Sequence, residues 1–230
     1  MVLTVDVISD VICPWCFVGK RRLEKAIRAL DGQHEVRVRW HPFQLNPSMP
    51  REGIPRKDYR TAKFGSWAKS LALDAQMTEV GASEGIAFAL DRIERTPNTV
   101  DAHRLIWLAG EEGVQDAVVE ALFRAYFCEG QNIGDRETLL DVVAAAGLSR
   151  GRAEEVLDGG EGLDAIRVAE EHARQLGVQG VPFFIINGGT ALSGAQQPEV
   201  FRAAFERQIA ATPTGDGSAC GAQSGQKPMC

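Results

Sequence analysis

The chain has 230 residues, 44% of them hydrophobic and 24% charged, ordinary values for a globular protein that buries a core without disulfide staples. With 31 acidic against 25 basic residues the net charge is −6, which argues against nucleic acid as the main partner. No apolar run reaches the ~18 residues of a membrane span, and Met1-Val2-Leu3-Thr4-Val5-Asp6 lacks the basic and apolar regions of a secretion signal, so a cytoplasmic location is expected.

Residues 2–8 are β-branched and partly alternating, which predicts a strand. A short loop leads to Cys13-Pro14-Trp15-Cys16, where Pro14 suits the first turn of a helix. Phe17, Leu23, Ile27 and Leu30 then recur at roughly helical spacing, and residues 35–40 alternate strictly as a second strand. Strand, helix and strand in that order predict a parallel βαβ unit. The proline-rich stretch from His41-Pro42 to Pro55 reads as a loop. One helix is predicted over about 57–80, broken by Gly81 to Gly85, with a connector over 91–97. Further helices are expected after Asn98 or Thr99, over about 115–127, after Asp135, after Ser149 and over about 163–176. Strand character returns at residues 181–187, Gly188-Gly189 signals a hairpin, and residues 190–193 return. Pro198 opens a last helix, and beyond residue 211 the composition turns Gly- and Ser-rich, which predicts a flexible tail.

The five cysteines are Cys13, Cys16, Cys128, Cys220 and Cys230, an odd number with uneven spacing that does not make a disulfide framework. A Cys-x-x-Cys after a strand and opening a helix is the thioredoxin-like redox signature of cytosolic proteins. Two residues between the cysteines on a first helical turn bring the sulfurs within disulfide reach. The first sulfur also sits at the positive end of the helix dipole, which stabilises a thiolate. Cys13 is therefore the expected nucleophile and Cys16 the resolving thiol. A zinc site completed by Cys220 and Cys230, or a pair of inert thiols, are the alternatives. Val181-Pro182 is the second signal: a cis-proline preceding a strand and facing the Cys-x-x-Cys would let the Val181 backbone bind an extended peptide or glutathione.

Asp10-x-x-Cys13-Pro14-Trp15-Cys16, Pro97-Asn98-Thr99, Glu129-Gly130-Gln131-Asn132-Ile133, Gly180-Val181-Pro182-Phe183-Phe184 and Ser193-Gly194-Ala195-Gln196 occur in that order. In these motifs the chain resembles the DsbA-like oxidoreductases of the FrnE type over about residues 3–210. The resemblance implies an α/β thioredoxin fold with a large all-helical insertion between the second and third strands. Residues 1–55 and 178–211 would form the thioredoxin-like part, 56–177 the insertion, and 212–230 a cysteine-containing tail. It also implies a cytoplasmic disulfide oxidoreductase or isomerase with Cys13 and Cys16 as redox pair and Pro182 as cis-proline. Pro14, Trp15 and Val181 would contact disulfide-containing or thiol protein substrates, with no cofactor beyond the redox disulfide, glutathione as a candidate co-substrate, no metal, and neither nucleic acid nor membrane as partner. Cys220 and Cys230 form a candidate second redox pair. Glutathione-dependent isomerases of the same superfamily typically carry serine at the first position of the motif, where this chain has Cys13. An adaptor that only uses the peptide groove is the non-enzymatic alternative.

Asp10 is either a proton relay or a loop acid that caps the turn, and Asp6 is expected at a strand end or polar edge. His34, His41, His103 and His172 share no metal-ligand spacing and read as surface or core residues. Trp15 is expected to stay exposed and shape the substrate surface. Cys128 lies on a small-residue helix face with Ala121 and Ala125 and is expected to act as a small inert hydrophobe.

Overall fold

Alternation of apolar Leu3, Val5 and Val7 with polar Thr4 and Asp6 sets the central strand. Leu3, Val5 and Val7 are buried along β1 (Val2–Ser9). β1 pairs in parallel with β2 (Glu35–Pro42), with Val5 beside Val38, and antiparallel with β5 (Phe183–Ile186), with Val5 beside Ile186. The hairpin partner β6 (Thr190–Ser193) completes a four-stranded sheet in the order β2-β1-β5-β6. The turn begins one residue earlier than the Gly188-Gly189 signal places it: Asn187 and Gly188 take positive φ, and residues 187–189 link Ile186 to its partner Thr190. The computed structural model describes residues 2–30, 32 and 34–211.

Helix α1 (Pro14–Arg28) buries Phe17, Leu23 and Ala26 and packs beside α9 (Pro198–Ala211), whose Phe201 meets Phe184 of β5 edge-on at 4.7 Å. Between β2 and β5 the chain runs through β3 (Ile54–Pro55), α2 (Arg56–Phe64), α3 (Trp67–Ser83), β4 (Arg95–Thr96), α4 (Val100–Glu111), α5 (Gln115–Phe127), α6 (Arg136–Ala145), α7 (Arg150–Asp158) and α8 (Leu163–Gln175). The insertion is thus helical apart from the two-residue ribbon of β3 with β4. The single helix predicted over 57–80 is two helices. Gly65 ends α2 in the left-handed region (φ 89°), and the Ser66 hydroxyl then accepts the Lys69 N–H as the cap of α3. The break predicted at Gly81 to Gly85 is present, since α3 ends at Ser83 and Gly85 takes positive φ (77°). A methyl group at Gly81 would lie 2.3 Å from the Phe88 ring, so the glycine there admits an aromatic neighbour.

One hydrophobic core runs through sheet and insertion alike. Phe17 of α1 stacks on Phe123 of α5 at 5.0 Å, and Phe88 meets Phe17 edge-on at 6.0 Å. Lys20, a buried cation on α1, lies 3.1 Å from Asp116 and 3.3 Å from Glu120 of α5. The polar side of α1 is therefore covered by the acidic side of α5. On the opposite sheet face Ala173 of α8 packs with Ile8, Phe183 and Ile185.

Candidate active site

The loop from β1 into α1 is built by backbone hydrogen bonds. The Cys13 N–H donates to the Asp10 carbonyl at 3.0 Å, and the Cys16 N–H donates to the Cys13 carbonyl at 3.0 Å. Cys13 sits at the N-cap position with extended backbone, Pro14 occupies the first turn, and that turn holds no acidic residue. The helix N-terminus thus points its positive end at the first sulfur without a competing carboxylate. Both cysteines are free thiols, and Trp15 between them is 44% exposed.

The Val181–Pro182 peptide is cis. The loop that carries it comes directly to the cysteine pair: the Cys13 thiol donates to the Val181 carbonyl at 3.5 Å. The Gly194 N–H in turn donates to the Pro182 carbonyl at 2.8 Å, which ties this loop to the end of β6. Four of the residues expected at the site, Cys13, Pro14, Trp15 and Val181, are thereby brought together with Pro182 alongside. Cys16 is 1% exposed. Burial raises its thiol well above the ordinary range, with the adjoining Cys13 adding to the effect. A Ser9 hydroxyl contact and the Asp10 backbone oppose the rise without cancelling it. Cys220 and Cys230 lie outside the described residues, as does the zinc site they would complete. Among the described residues no cluster of three or more His, Cys, Asp or Glu side chains is placed to hold a metal ion.

Asp10 is fully buried, and its carboxylate accepts the Leu45 N–H at 2.8 Å. Its other oxygen faces His103 Nε2 of α4 at 3.3 Å without hydrogen-bond alignment, which places the insertion against the cysteine loop. His41 and Arg39 both reach Asp6, each at 2.8 Å. Cys128 is half-buried, and its thiol is raised chiefly by burial, which suits an unreactive side chain. Gly19, one turn beyond Cys16, faces Pro182 and Phe184 so closely that an added methyl group would lie 3.1 and 3.0 Å from their rings. A lone glycine inside a helical pattern was the only sequence signal for that contact. Beside the cysteines a cavity of about 420 Å³ opens between the start of α1 and helices α2 and α3, lined by Cys13, Pro14 and Trp15 on one side.

Comparison with known proteins places this arrangement. The DSBA-like thioredoxin domain family matches residues 4–206. The chain belongs to that family. The Bacillus subtilis (strain 168) protein YwbO is 32% identical over 206 residues, covering 89% of this chain and 96% of YwbO. The crystal structure of a probable DsbA oxidoreductase from Streptomyces coelicolor superposes with a TM-score of 0.83 at 34% identity, covering 99% of this chain and all of that one. A Pseudomonas aeruginosa cytosolic disulfide reductase, DsbM, solved with glutathione, shares the fold at a TM-score of 0.62 and 21% identity over 90% of this chain and 99% of its own. The DsbA-like relatives support an oxidoreductase or isomerase activity for the family member described here.

Proposed function

We propose that this chain is a cytoplasmic thiol–disulfide oxidoreductase of the FrnE type, with Cys13 as nucleophile and Cys16 as resolving thiol. The observation that supports it most directly is the Cys13 thiol at the head of α1, 3.5 Å from the Val181 carbonyl. In this reading the Cys13 thiolate attacks one sulfur of a substrate disulfide. A mixed disulfide forms, and the other substrate sulfur leaves as a thiolate that takes a proton. Cys16 then loses its proton and attacks the Cys13 sulfur. The mixed bond breaks, the second substrate thiol leaves, and the Cys13–Cys16 disulfide carries the two electrons' worth of oxidation. Glutathione or another thiol returns the pair to the dithiol. Pro14, Trp15 and Val181 form the surface that substrates meet, with Pro182 holding Val181 in place. Residues 1–55 and 178–211 act as the redox unit, and the insertion of residues 56–177 shapes access to it. Cys220 and Cys230 would be an auxiliary pair.

High burial of Cys16 supports the division of roles, because a thiol held protonated waits for the mixed disulfide to form. The test is trapping. Cys13→Ser is expected to abolish reduction of a model disulfide protein, and Cys16→Ser to accumulate mixed disulfides through Cys13. Mixed disulfides at Cys16 in Cys13→Ser would reverse the assignment, and full activity in Cys13→Ser would remove it.

A further inference from the structure

The Val181 carbonyl offers one approach to Cys13, and the 420 Å³ cavity offers another, because Val181 does not line it. Its volume lies within the roughly 300–1,000 Å³ of small-molecule sites. Most of its wall is apolar, with Leu73, Met77 and Val80 contributed by α3 and Phe127 by α5. Its charges are unusual for a chain of net charge −6. Arg56, Arg60 and Lys63 of α2 line it, against Asp74 as the one carboxylate in the lining. Asp74 already serves both arginines, at 2.7 Å from each. Lys63 is exposed, donates to the Tyr59 hydroxyl at 2.8 Å and lies over the Tyr59 and Phe64 rings, and it pairs with no carboxylate among the described residues. The cavity therefore carries two more positive than negative charges beside an apolar wall. Burial, with a smaller contribution from the adjoining Arg56, holds the Arg60 guanidinium below its ordinary range despite Asp74.

We propose that this cavity binds the non-reacting part of a low-molecular-weight disulfide, an apolar ring bearing a carboxylate, and presents its sulfur to Cys13. The proposal rests on the thiol–disulfide reading above and names a substrate class for it. The ring lies against Leu73, Met77 and Val80. Its carboxylate supplies the missing negative charge to Lys63 and Arg60. Cys13 attacks the nearer sulfur, the farther sulfur leaves as a thiolate, and Cys16 releases the bound half as a thiol. The enzyme dithiol supplies both electrons and ends as the Cys13–Cys16 disulfide.

The experiment uses the reduced full-length chain and two aromatic disulfides, the dianion dithiobis(nitrobenzoate) and neutral dithiodipyridine. Single-turnover rates are corrected by those of Cys13→Ser. They are measured at physiological ionic strength, where charges beyond about 8 Å are screened. Lys63→Glu is expected to lower the ratio of the dianion rate to the neutral rate about fivefold, and Lys63→Gln to lower it by a smaller factor. Lys69→Glu makes the same charge change at an exposed residue of α3 that does not line the cavity, and should leave the ratio within about twofold. Val80→Trp narrows the cavity at its apolar wall and should slow both aromatic disulfides about tenfold relative to linear hydroxyethyl disulfide. Equal effects of the Lys63 and Lys69 reversals, or aromatic rates untouched by Val80→Trp, would overturn the proposal while Cys13-dependent reduction stands. Rates in Cys13→Ser equal to those of the unaltered chain would instead remove the oxidoreductase reading beneath it.

Discussion

Gly19 joins helix packing to the site. An added methyl group there would stand 3.0 Å from Phe184 Cζ, 3.1 Å from Pro182 Cγ and 3.6 Å from Ala195 Cβ. Carbon atoms prefer about 3.5–4.0 Å, so two of these contacts overlap by about half an ångström. Phe184 is fully buried and backed by Phe201, which leaves the Pro182 loop as the part that yields. That loop holds the Val181 carbonyl 3.5 Å from the Cys13 sulfur. Gly19→Ala regains about 1 kcal/mol of helix propensity against a modest clash, so its net effect on stability should be near zero. Gly19→Val regains only about 0.4 kcal/mol and adds two more methyl groups, so a net loss of about 1–2.5 kcal/mol is expected. Displacing the carbonyl by a fraction of an ångström to one ångström should also slow reduction about tenfold, since a 1 Å misplacement costs up to about 100-fold. Urea unfolding at constant m reads the first effect, and single-turnover reduction of a model disulfide protein reads the second. A Gly19→Val protein within about 0.5 kcal/mol of the parent and within about twofold of its rate would refute this account of the contact.

Two pH dependences follow from other groups. Cys16 is held protonated in the folded dithiol protein, whereas unfolded cysteine ionises near ~8.5. Between about pH 8.5 and 10 the unfolded chain therefore binds fewer protons, and stability of the reduced protein should fall by up to ~1.4 kcal/mol per pH unit. A reduced protein whose urea midpoint declines no faster than that of Cys16→Ser over this range would contradict it. Glu84 receives Arg22 Nε and Lys25 Nζ, each at 2.6 Å. Burial alone would raise this carboxyl, but the two hydrogen-bonded cations outweigh it and hold it below the ordinary range. Its contribution is thus complete above the unfolded value of ~4.3 and is lost as the pH falls through the lower folded value. Glu84→Gln should cost about 3 kcal/mol at neutral pH, the low end for a buried pair because Lys25 stays partly in water, and should flatten the acid limb of the stability profile. An unchanged limb would assign acid sensitivity elsewhere.

Local signals decided what the sequence determined by itself. The strand–helix–strand start, the cysteine pair opening α1, α5 over 115–127 and the β5–β6 hairpin all rest on residues a few positions apart. The capping signals behave likewise, with Asp135 accepting from Thr138 N–H at 3.0 Å and Ser149 from Arg152 N–H at 3.4 Å. The family motifs extended this reading to the insertion between β2 and β5. Tertiary structure alone decided which surfaces meet. Periodicity tells which side of a helix is apolar, not what covers its polar side, so the burial of Lys20 against α5 and of Arg22 against Glu84 had no local signature. Asp10 and His103 are distant in sequence and carry no shared spacing, yet docking of α4 sets them 3.3 Å apart. Arg56, Arg60 and Lys63 carry no motif. They become the wall of a cavity at Cys13 only because α2 and α3 fold back over the head of α1.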